Sequence, residues 1–241
     1  STKGEGEKEP PIVEPPIEPK NAKDIAKIYR EKFGFSPKES VWAARLFDAK
    51  ATFMAKVKGI SKEDYYKEYT FNDGSSKKKG NWTKEAARAK RIISMYENAD
   101  STTQVHETLG HDYLDEIIEL SATDKESEAD LKTIAEEYVK AKGGKVDDVI
   151  KALRDFDVES NPSLEGRKIH EWFAQQAEQY FATERDVKKE TPQQSKMAKI
   201  FEAFRQHLAD LYDSMNKALI APSEPMKKVF RKVFGEENFN Q

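Results

Sequence analysis

The 241-residue chain contains no cysteine. Disulfide scaffolds, thiolate metal sites and cysteine nucleophiles are thereby excluded. It has no apolar run of about 18 residues, which excludes a membrane-spanning helix of the ordinary kind. Charge of one sign is also lacking: 41 Lys+Arg stand against 44 Asp+Glu, a net charge of −3. A chain built mainly to coat nucleic acid would carry a large basic excess, so there is no strong nucleic-acid signal. Strand-like alternation is nearly absent, and hydrophobic residues make up only 37%. That share suffices for a helical core if long charged side chains line the outer faces. The expected fold is mainly α, a multi-helix domain with little or no β-sheet.

Three regions are expected. Residues 1–20 hold five of the ten prolines and five glutamates, which reads as an extended arm or linker, since Pro fixes φ and removes a donor. Residues 21–80 form an N-terminal helical segment. Its first helix carries Ile25, Ile28, Tyr29 and Phe33. Its second opens at Ser36-Pro37-Lys38-Glu39, with a capping serine, Pro at N1 and Glu at N3, and runs towards Gly59. Asn72 to Gly80 reads as a loop. Residues 81–241 form the main helical domain. Within it, Trp82 to Tyr96 reads as helix throughout, or as helix and then a short strand at Ile92 to Tyr96. Helices are expected at Thr102 to Leu120, Leu131 to Ala141, a further one from the Gly143-Gly144 break to Phe156, and then Leu164 to Thr183, Gln193 to Leu219 and Glu224 to Phe234.

Chemistry concentrates in Val105-His106-Glu107-Thr108-Leu109-Gly110-His111, which holds two of the four histidines. A zinc peptidase needs two neutral imidazoles on one helix face and a carboxylate beside them to take a proton from metal-bound water. Histidines four apart on a helix differ by about 40°, whereas these, five apart, differ by about 140°. Both reach one metal only if the helix takes up the extra residue as a π-bulge, which Gly110 makes cheaper. The plainer alternative is a pair of surface histidines. A third ligand is offered by the segment from Ile169 to Phe181, where Glu171 and Glu178, seven apart, share a helical face with Gln175. There the alternative is an amphipathic helix with solvated acids. His170 is read as merely flanking, and Tyr113, Tyr180 and Tyr212 as packing residues rather than oxyanion donors.

Arg91 to Asp115 resembles the metallopeptidase-like segment of large phage and prophage polyvalent proteins. That segment runs from a hydrophobic stretch through Phe-Glu-x-Ala-Asp-x-Ser-Thr to a His-Glu-x-x-His helix. His170-Glu171 through Tyr180 resembles the same family's downstream Glu helix, and Phe201, Phe204, Leu208 and Tyr212 a helix that follows it. The resemblance covers about residues 59–234. It implies a gluzincin-like fold in which His106, His111 and Glu171 hold Zn2+ and Glu107 is the general base. Glu178, matching a further acid of the pattern, is expected to hydrogen-bond a ligand histidine. Leu109 is inserted relative to the pattern; the dipeptidyl-peptidase III family is similar in having the resulting His-Glu-x-x-x-His. The resemblance implies a peptide or protein substrate and a place in the virion or the bacterial host cytoplasm. The alternative is a virion-associated or host-takeover protein that keeps the scaffold without proteolysis, with residues 1–20 contacting other virion proteins.

Overall fold

The structure, a computed structural model, describes residues 18–32, 34–74, 80–85, 90–96, 105–156, 163–184 and 189–234. Side chains at 70–74, 80–85, 90–96, 107, 108, 193, 196, 197, 200 and 201 are outside this description. So are residues 1–17 of the Pro/Glu arm and the side chains of Glu107 and Phe201.

The chain is mainly α. Helix α1 (Ala22–Glu31) begins where Asn21 accepts from the Asp24 amide. The expected start of α2 (Pro37–Lys58) is realised: Ser36 accepts from the Glu39 amide, Pro37 sits at N1, and Gly59 closes the helix at φ 68°. The short α3 (Lys62–Tyr66) follows. Next come strands β1 (Tyr69–Gly74), β2 (Gly80–Glu85) and β3 (Lys90–Tyr96), ordered β1-β3-β2, with β3 parallel to β1 and antiparallel to β2. The strand at the end of the Trp82–Tyr96 stretch is therefore present. Of the loop expected over Asn72 to Gly80, residues 72–74 and 80 are strand, and of the helix expected from Trp82, residues 82–85 are strand; residues 75–79 and 86–89 lie outside the described residues. Pairing here depends on partners distant in sequence, and no local alternation announces it.

From Val105 the chain is helical to Leu120, but in two windings. Val105–Asp112 is π-helical, and Tyr113–Leu120 continues as the ordinary helix α4. Four helices follow up to Ser214: α5 (Lys125–Lys142), α6 (Val146–Asp155), α7 (Leu164–Thr183) and α8 (Pro192–Ser214). Helix α9 (Glu224–Val233) is the last among the described residues. Each of α5, α7, α8 and α9 starts at a side-chain cap, from Asp124, Ser163, Thr191 and Ser223. No helix among the described residues is long and apolar enough to cross a membrane.

One apolar cluster runs through both halves of the chain, from Ile25 and Phe47 through Leu114 and Ile134 to Phe173 and Phe230. The π-helical turn packs most closely on α7. Gly110 makes this possible: a Cβ there would lie 2.6 Å from both Cα and Cβ of Ala174. Its lack of a side chain therefore serves close helix approach, as well as the easier distortion expected for it.

Candidate metal centre

The π-helical turn turns the awkward spacing of the two histidines into a shared site. With i→i+5 hydrogen bonds, residues five apart take the stacked relation that residues four apart have in an α-helix. His106 Nε2 and His111 Nε2 accordingly lie 3.0 Å apart. Glu171, on the facing side of α7, closes the triangle: one carboxylate oxygen is 3.1 Å from His106 Nε2 and the other 2.8 Å from His111 Nε2. His106, His111 and Glu171 form a group that can hold a metal ion.

The donor set fits a small divalent cation. Bonds of about 2.0–2.1 Å in tetrahedral array set donors about 3.3 Å apart, against the 2.8–3.1 Å separations here. Entry of an ion asks for shifts of a few tenths of an ångström. Two imidazoles and one carboxylate also leave one coordination position for water or substrate. The site opens on the Glu171 side, whose side chain is 48% exposed, while His111 is buried.

Electrostatics prepare the same atoms. Burial keeps His111 neutral, lowering its pKa against the pull of Glu171. Burial works against the Glu171 carboxylate, but hydrogen bonds from both histidines outweigh it and hold the group ionised. For His106, burial lowers the pKa, yet Glu171 and Glu178 together push it up to about 10. A cation entering the site therefore displaces a proton from His106.

Several side chains support the three donors. Glu178, one turn pair beyond Glu171, sits with an oxygen 3.6 Å from His106 Nδ1, on the side away from the shared centre. The contact is electrostatic, longer than the hydrogen bond expected for it. Tyr212 of α8, a packing residue in the sequence reading, hydrogen-bonds Glu178, and burial followed by that carboxylate keeps its phenol protonated. His170 is more than a flanking residue. It is buried, stacks on the His111 ring at 5.7 Å and 19°, and meets Phe156 on another side. Burial pushes its pKa down to about 3. Sequence spacing places His170 about 100° from Glu171, and that offset is the signal that it faces inward. Tyr113 donates to the Val229 carbonyl, and Tyr180 is bonded to Glu184, so both hydroxyls are engaged away from the site.

The backbone of Glu107 lies in the π-helical turn directly after His106, and its side chain is outside the described residues. Comparisons of the chain with protein-family models, curated proteins and solved structures give no match.

Proposed function

We propose that the chain is a zinc-dependent peptidase, with Zn2+ held by His106, His111 and Glu171 and with Glu107 as general base. The observation that carries this is the π-helical winding. It is the one local geometry that lets histidines five apart share a ligand, and it occurs at the two histidines that flank a candidate base.

Zinc, when bound, would polarise the scissile carbonyl and make its water acidic. Everything else falls to the chain. His111 and Glu171 stand in the charge states that ligation requires. The Glu178 carboxylate faces His106 Nδ1 at 3.6 Å and favours the proton on that nitrogen, which leaves Nε2 for the shared centre. Tyr212 in turn orients Glu178. Glu107 takes the proton of the attacking water and returns it to the departing amine. The half-exposed Glu171 side of the site is where a peptide enters.

The test is peptide hydrolysis by the zinc-loaded protein beside its Glu107→Gln variant. The variant is expected to keep zinc and to lose about 10²–10⁴-fold in turnover, the usual worth of a positioned base. Bound zinc with no hydrolysis across a broad peptide panel would overturn the peptidase and favour a scaffold role, in a virion or against a host protein.

A further inference from the structure

Behind the metal centre lies a second cluster of charged groups, fully shielded from solvent. Lys50, in the middle of α2, has no exposed surface. Its ammonium is 2.7 Å from Asp112 Oδ2 and 2.8 Å from Glu116 Oε1, and both carboxylates are also fully buried. Tyr69 lies 2.8 Å from the same ammonium, and Tyr65 is bonded to it as well. The two phenols complete the network. Tyr65 donates to Glu116 and Tyr69 to Asp112, so three ammonium protons and two hydroxyl protons serve the oxygens around them. Burial, reinforced by Glu116 and Asp112, keeps Tyr65 protonated. Lys58, 3.9 Å from the other oxygen of Glu116, supplies the second positive charge that two carboxylates need.

Burying charge is a poor way to gain stability, because apolar side chains of the same volume do as well or better. What ion pairs add is direction, and here the direction has a clear target. Asp112 is the last residue of the π-helical turn and follows the ligand His111; Glu116 is one turn further on, in α4. A helix left to itself favours ordinary α winding over π. Tightening this one would remove one residue's worth of rotation, about 100°, between its two ends. The upstream end is held by the buried Val105 and by the contacts of His106 with Glu171 and Glu178. The downstream end would have to turn, carrying Asp112 and Glu116 away from Lys50 and stranding buried charges.

We propose that Lys50 is a positioning residue for the metal site: by gripping Asp112 and Glu116 it fixes the helix beyond the π-helical turn in the rotation that keeps His111 beside His106. This rests on the metal-site reading above. It makes the N-terminal segment, through α2, α3 and the first residue of β1, part of what shapes the site.

The experiment compares the full chain with Lys50→Met and with the triple variant Lys50→Met/Asp112→Leu/Glu116→Met. The triple variant removes every charge of the buried contact and keeps an apolar filling. Two quantities are read: amide hydrogen exchange across residues 105–113 without metal, and zinc affinity by competition with a chromophoric chelator. The folded triple variant is expected to exchange at least tenfold faster across 105–113, with α5 and α6 unchanged. Its zinc affinity should fall about 10–100-fold, as when supporting groups around metal ligands are removed. Lys50→Met should show the same losses if it folds, and the triple variant decides if it does not. Parental exchange and parental zinc affinity in the folded triple variant would overturn the proposal. A parent that binds no zinc would instead overturn the metal site, and exchange across 105–113 would then decide the lock by itself.

Discussion

Two helices supply the candidate metal centre, and they do so differently. Helix α7 is regular from its Ser163 cap to Thr183, and ordinary periodicity places Glu171 and Glu178 on one side and Ile169, Phe173 and Ala177 in the core. The facing helix reaches the same centre only by winding wide over Val105–Asp112. A regular helix needs local support, a cap and an apolar face. A π-helical turn is held from outside, by Glu171 and Glu178 on His106 near its start, and by Ala174 against Gly110 and Lys50 on Asp112 and Glu116 towards its end. The ligands on α7 should therefore tolerate damage to their own helix, and those on the wide turn should be lost through residues that touch no metal.

The largest effect is expected from Lys50→Met, which leaves two carboxylates buried without their main partner. A loss of about 3–5 kcal/mol is expected, read by denaturant unfolding without metal. Gly110→Ala comes next. Its new methyl would meet Ala174 at 2.6 Å, and forcing the helices apart should cost about 1–3 kcal/mol and weaken zinc binding in the same protein. An unchanged melting temperature and unchanged zinc affinity would show that the close approach is unnecessary.

Smaller effects sharpen the contrast. Glu178→Gln should leave the fold intact but lower zinc affinity about 10–100-fold, since His106 loses the negative charge behind it. Chelator competition reads this directly. Ser163→Ala removes the cap of α7, whose hydroxyl accepts from the Gly166 amide at 3.1 Å. It should cost about 1 kcal/mol of stability and leave zinc affinity unchanged. A fall in zinc affinity there would mean that α7 is as finely poised as the wide turn.

What was legible in the sequence follows the same division. Helix α2 could be placed from Ser36, Pro37 and Gly59 because capping is local chemistry. The π-helical turn could be anticipated because two histidines five apart on one helix share a ligand only if the helix widens. Glu171 and Glu178 were visible through their spacing of seven. Strands β1 and β2 were not, since their pairing lies with β3 rather than with near neighbours. Gly110 was noticed for its flexibility, while its contact with Ala174, on another helix, was not foreseeable from either segment. Lys50 looks in sequence like one more lysine in a chain that is 35% charged. Its signal was its place among Leu46, Phe47 and Met54 on a buried helix side.

The account turns on whether the two histidines share a metal, and zinc content measures this most directly. Purified parent and His111→Ala proteins, each supplied with zinc and freed of excess, are analysed for metal per chain. One zinc in the parent and none in the variant is the predicted result. No zinc in the parent, with the fold intact, would contradict the site and the peptidase proposed from it.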